Sequence, residues 1–187
     1  MYWYRLRLKS AAALLSGIVL TACLPACRPD VKESGGALKY FDINGYFTKD
    51  IARLNKLNKP VLKTVTHNTV SESKTVHIDN WELELSLFKD ADINRPAWKN
   101  SYTVIDEDGM LIYRAKYPEL KMREMLIKKD KGKIKWILIY NKTPKNILYQ
   151  TTEKLSYFPD SLYVIDKMQR VRLMGSNFYE IKGAMSR

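Results

Sequence analysis

Side chains able to move protons, hold metal or attack a substrate are few in this 187-residue chain: two histidines, two cysteines and 20 carboxylates, set among 32 lysines and arginines. His67 and His77 flank a Val- and Thr-rich stretch that reads as a hairpin of Val61–His67 and Glu72–Ile78. With residues 68–71 as its loop, His77 faces Leu62 and His67 faces Glu72. The two rings then stand ~16 Å apart at ~3.3 Å per residue, too far to share a metal. They read as surface strand histidines. Asp90 and Asp92 close an expected helix two residues apart, hence on different faces, which suits an acid–base pair poorly. Asp106-Glu107-Asp108-Gly109 is acidic, but it lacks the spaced ligands and closing Glu of a calcium loop and reads as a hairpin turn. No G-x-S-x-G, H-E-x-x-H, G-x-G-x-x-G or G-x-x-x-x-G-K occurs. The expectation is a non-enzymatic protein without cofactor or metal; a hydrolase assembled from scattered carboxylates is the competing reading.

Lys128, Lys129, Lys131, Lys133 and Lys135 crowd one expected hairpin. They form either a basic tip for anionic lipid or polysaccharide, or a solvated turn whose charges discourage edge pairing. Tyr140, Tyr149, Tyr157, Tyr163 and Tyr179 fall on expected strands, either lining a sugar- or lipid-binding face or simply tiling a sheet.

The cysteines lie near the N-terminus. Arg5, Arg7 and Lys9 precede Ala11–Ala22, a run without charge. A dozen apolar residues cannot cross a ~30 Å hydrocarbon core as a helix. Residues 1–22 therefore read as a removable export signal; the alternative, a buried N-terminal helix, does not account for the purely basic flank. Leu20-Thr21-Ala22-Cys23 resembles a bacterial lipobox. That resemblance implies a diacylglycerol thioether on Cys23, which becomes the first mature residue. Leu24-Pro25-Ala26-Cys27 fits more loosely, with Pro25 where a small flexible residue is usual, so Cys27 is the alternative lipidation site. Each buried methylene contributes ~0.8 kcal/mol, so two or three acyl chains anchor a protein firmly. A C-x-x-x-C metal pair is not expected, because a lipidated Cys23 has no thiolate to give.

Residues 1–22 hold three basic residues and no acid, leaving 29 against 20 in the mature chain. Export makes nucleic acid a poor partner for that excess and favours anionic head groups or plain solubility. Residues 23–38, rich in Pro, Gly and charge, read as a flexible tether. Residues 39–187 are long enough to close one core.

Within that core Asp42–Leu57 reads as a helix, with Asp42 as cap, Ile43, Phe47, Ile51, Leu54 and Leu57 as its apolar stripe, and Pro60 as its stop. Asp79 to about Ala91 reads as a second helix with an Asp79–Glu82 capping box and Trp81, Leu85 and Phe88 on one face, although Trp81, Leu83, Leu85 and Leu87 also alternate like a strand. The rest reads as an antiparallel meander: Ser101–Glu107, Met110–Lys116, Leu120–Lys128, Lys133–Asn141, Asn146–Phe158, Leu162–Asp166 and Arg170–Ile181. Ile134, Trp136, Leu138 and Tyr140 face one way and Ile137 and Ile139 the other, so this strand is expected to be covered on both sides. The fold class expected is α+β, two N-terminal helices packed on a curved antiparallel sheet of six to eight strands.

The segments Tyr40–Phe47 (YFDINGYF), Ala91–Trp98 (ADINRPAW) and Leu155–Tyr163 (LSYFPDSLY) resemble uncharacterised envelope lipoproteins of Bacteroidota, over residues 39 to 182. The resemblance supplies no catalytic residues and implies an envelope location. Surface-displayed members carry acidic residues after the lipidated Cys; Leu24-Pro25-Ala26 instead implies a periplasm-facing anchor on the outer membrane. Asp160-Ser161-Leu162 is similar to the O-glycosylation sequon of that phylum, which would place sugar on Ser161, while a Pro-Asp turn explains the same residues. Two functions follow as expectations: binding of a protein or glycan partner through the sheet face, or carriage of a lipid or acyl chain in a cavity beneath the sheet.

Overall fold

The computed structural model describes residues 38–143 and 148–185. Its first element, α1 (Ile43–Leu57), forms where the apolar stripe predicts it. The Asp42 carboxylate accepts a hydrogen bond from Gly45 N–H at 2.8 Å, satisfying one orphan donor of the first turn. Asn58 ends the helix in the left-handed region (φ 43°), its N–H donating to the Leu54 carbonyl.

Nine strands follow: β1 (Val61–His67), β2 (Val70–Val76), β3 (Tyr102–Glu107), β4 (Met110–Ala115), β5 (Met122–Asp130), β6 (Lys133–Lys142), β7 (Tyr149–Phe158), β8 (Leu162–Val171) and β9 (Gly175–Met185). They make one antiparallel sheet in the order β2-β1-β9-β8-β7-β6-β5-β4-β3. The class is α+β, with nine strands rather than six to eight. The helices are only partly N-terminal, since two single-turn pieces, α2 (Trp81–Glu84) and α3 (Ser86–Lys89), lie between β2 and β3.

Those two pieces stand where one helix from Asp79 was expected. Asn80, not Asp79, is the cap, accepting from Leu83 N–H at 2.9 Å. The chain rewinds at Leu85 (φ −101°, ψ 12°), and this break keeps Trp81, Leu85 and Phe88 all buried while Leu83 points to water. The helical face was readable; its continuity was not. Strand boundaries moved for comparable local reasons. Asn68 takes φ 54°, so the first hairpin turns on two residues and pairs His67 with Val70. His77 lies beyond β2 and does not face Leu62. Lys131-Gly132 (φ 48° and 77°) likewise make a two-residue turn with Asp130 still in its strand. Asp108-Gly109 (φ 49° and 70°) turn as predicted. The expected strand Arg170–Ile181 is instead a turn at Arg172–Met174 between two strands of ten and eleven residues.

Directly opposed residues share a face, and one face carries the core. Tyr113, Met125, Ile139, Leu155 and Ile165 oppose one another across β4–β8, and all five are buried beneath the helices. Phe47, Phe88 and Tyr157 join the layers through ring contacts of 5.0–5.8 Å. Burying each such side chain contributes about 1.5–3 kcal/mol.

Two polar clamps fix the layers. The Tyr157 hydroxyl donates to Asp50 Oδ2, and Arg53 Nε donates to Asp50 Oδ1 at 2.7 Å while its Nη1 donates to Asp160 in the β7–β8 turn. The Tyr163 hydroxyl donates to Glu84 Oε1 at 2.6 Å, and Lys63 Nζ donates to Glu84 Oε2 at 2.7 Å. Burial first, then the carboxylate beside each hydroxyl, holds both phenols far above their usual pKa.

Candidate functional site

The face of the sheet turned away from the helices holds the other half of the alternation. Ile105, Ile112, Leu126 and Leu138 oppose one another on β3 to β6, and the row continues through Ser156 and Val164. All six are half-buried. A groove of about 300 Å³ opens on this row, lined by Leu126, Leu138, Ile139, Tyr140, Lys154, Leu155 and Ser156. Trp136, Leu138 and Tyr140 project outward, as the alternation predicts, while Ile137 and Ile139 are buried on the helix side. Ile134 departs from its expected face: a bulge between Lys128 and Lys129 shifts the register, and Ile134 packs on the core.

Beside the apolar row runs a charged one. Arg114 opposes Glu124 and binds it at 2.7 Å; Glu124 opposes Tyr140, and Lys154, Asp166 and Glu180 follow. Burial and then the Glu180 charge raise the pKa of Asp166, against the opposing pull of Lys154. This carboxylate pair does not line the groove. An apolar channel with one amine, one phenol and one serine hydroxyl suits holding a ligand or chain segment rather than transforming one.

On the helix side the space is smaller. A pocket of about 180 Å³ is lined by Leu54, Leu57, Lys59, Val61, Trp81, Asp160 and Met185.

Cys23 and Cys27 lie outside the described residues. Of the five lysines, Lys128 Nζ donates to the Asp108 carbonyl at 2.6 Å, Lys129 Nζ sits 5.4 Å from the centre of the Phe41 ring, and Lys135 pairs with Asp130 at 3.3 Å. Lys131 and Lys133 are exposed at the β5–β6 turn. Ser161 is exposed in the β7–β8 turn, its N–H donating to the Phe158 carbonyl at 3.1 Å. The five tyrosines do not share a face: Tyr140 is on the outer side, whereas Tyr157 and Tyr163 are fully buried on the helix side, in register with Tyr149 and Tyr179 on neighbouring rows. His67 stacks on Tyr179 at 4.5 Å, as an exposed strand residue. The Asp92 carboxylate accepts from Asn94 N–H at 3.0 Å, a local turn contact. Among the described residues no three metal-ligating side chains converge.

No family model, curated protein or solved structure matches this chain. Sequence periodicity placed Leu138 and Tyr140 on one face but missed Leu126, Lys154 and Ser156, which reach the groove only through strand register.

Proposed function

We propose that this chain is a non-catalytic lipoprotein of the bacterial envelope, anchored in the outer membrane through lipid on Cys23, facing the periplasm, and binding an envelope protein through the outer face of its sheet. The observation that carries the binding half is the groove of about 300 Å³ on the half-exposed apolar row. Its few polar groups fit an extended apolar segment of a protein better than a sugar, whose hydroxyls need partners all round. The anchor half rests on LTAC at the end of an apolar run and on the resemblance of the mature segments to Bacteroidota lipoproteins. The buried carboxylates Asp50 and Glu153 and the half-buried Glu84 are engaged in ion pairs, which supports a structural use for them. Carriage of an acyl chain is less well supported, because ligand cavities run to ~300–1,000 Å³ and the helix-side pocket is about 180 Å³.

Two experiments separate the halves. Cys23→Ser should move the protein from the membrane pellet and abolish labelling by palmitate; unchanged fractionation and labelling refute the anchor. A photo-crosslinking residue at Leu138 should capture one discrete protein in the native envelope, and capture should fall about tenfold with Leu126→Glu. A glycan adduct, or none, refutes the protein-binding reading.

A further inference from the structure

The two most exposed large apolar side chains of the described fold are neighbours in one turn at the end of the sheet. Leu173 is 93% exposed and Met174 81%, both in the β8–β9 turn, and Leu148 beside them is 67% exposed. The Leu148 carbonyl accepts from Arg172 N–H at 3.0 Å, which fixes the start of β7 against the turn. Tyr149 opposes Val171 there and is half open to solvent. From Lys167 to Tyr179 the hairpin carries Lys167, Arg170 and Arg172 and no acid. An apolar tip collared by arginines and a tyrosine has the composition of a segment that enters the interface of an anionic bilayer: the apolar side chains reach the acyl boundary, and the guanidinium groups stay among the head groups.

Position supports the same occupant. Because all neighbouring strands are antiparallel, the β8–β9 turn lies at the end of the sheet where β3 begins. Lys39, near the first described residue, donates from Nζ to Asn100 Oδ1 at 2.7 Å, just ahead of Tyr102. β7, β8 and β9 run on past the Glu153–Lys167–Tyr179 row by about four residues, roughly 13 Å, so the tip overhangs that end. The lysine-rich β5–β6 turn is at the opposite end.

We propose that the β8–β9 turn is a membrane-docking tip that inserts Leu173 and Met174 into an anionic lipid surface, with Arg170 and Arg172 at the phosphates. The proposal rests on the lipid-anchor reading only for proximity: lipid on Cys23, fifteen residues before Leu38, would keep the domain beside a bilayer.

The test uses the full chain with Cys27→Ser and Met174→Cys, labelled with the fluorophore NBD and placed on phosphatidylethanolamine–phosphatidylglycerol vesicles containing doxyl-labelled lipid. The reference probe sits at Lys131→Cys, at the far end of the sheet. Quenching at residue 174 should exceed that at residue 131 at least threefold, and Arg170→Gln with Arg172→Gln should weaken insertion about fivefold per arginine. Equal quenching at the two positions overturns the proposal, as it would if the tip met water or a protein. Insertion unchanged by loss of both arginines overturns the anionic-lipid assignment. Dye stoichiometry, read by mass spectrometry before vesicles are added, reports on Cys23 separately: one dye per chain if its thiol is lipidated, two if it is free. In the second case the same comparison is made with Cys23→Ser added, so failure of the anchor and failure of the tip are distinguished.

Discussion

Gly183 of β9 lies directly opposite Tyr163 of β8 and Lys63 of β1, and the Tyr163 ring rests on its backbone. A Cβ built at this position would overlap the Cε1, Cζ and hydroxyl oxygen of that ring. The ring has little room to retreat: it is completely buried, Trp81 meets it edge-on at 6.0 Å, and its hydroxyl is tied to Glu84. Gly183→Ala should therefore cost about 1–3 kcal/mol of overpacking. Loss of a hydrogen bond to a charged group adds about 1.5–3 kcal/mol if the ring is displaced, against a gain of ~0.5–1 kcal/mol for replacing a strand glycine. A net loss of about 2–5 kcal/mol lowers the melting temperature by roughly 4–20 °C for a domain of this size. Tyr163→Ala alone should cost about 3–5 kcal/mol through the cavity it leaves. In the double variant the new methyl enters the vacated space, so the losses should fall short of additive by at least ~1 kcal/mol. Thermal unfolding of the four proteins by circular dichroism tests this. A Gly183→Ala melting point within a degree of the parent, or strictly additive losses, refutes the packing argument.

Tyr157→Phe and Tyr102→Phe should have opposite outcomes in denaturant unfolding. The first removes the donor to Asp50 and costs about 1.5–3 kcal/mol. The second removes a buried hydroxyl that has no partner among the described residues and whose pKa burial pushes up to about 12, so stability should hold or rise by up to ~1 kcal/mol. Asp166→Asn should stabilise the protein at neutral pH by about 0.2–1 kcal/mol, the scale of a cross-strand pair. Burial and Glu180 raise the folded-state pKa of Asp166 above its ordinary 3.8 despite Lys154, so the folded state binds the proton more tightly and stability is lost as pH climbs through that raised value. The gain from Asn should accordingly vanish near pH 3 in melts taken from pH 3 to 8; a gain independent of pH refutes it.

Local signals carried some elements whole. Asp42, the three-and-four spacing of Ile43 to Leu57 and Pro60 define α1 within a residue, and Asp108-Gly109 define a hairpin because that pair supplies the positive φ the turn demands. Signals failed where they competed or were missing. Leu83 suits a strand alternation and Trp81, Leu85 and Phe88 a helical face; packing chose the face and broke the helix to keep it. The β8–β9 turn was hidden because Val171-Arg172-Leu173-Met174 alternates like a strand and contains none of the usual turn residues; only Gly175, at φ 86°, marked it. The groove was the least legible part. Leu126, Leu138 and Ser156 become neighbours through the registers of β5, β6 and β7, including a bulge that periodicity does not reveal.

Pairing of β1 with β9 ties the earliest hairpin to the final strand. During synthesis the β1–β2 hairpin therefore waits, one edge open, until β9 has emerged, and only then can Tyr163 seat over Gly183. Long-range closure of this kind belongs with folding on the millisecond-to-second scale. Without the strand that begins at residue 175, β1 and β2 have no neighbour in the sheet other than each other.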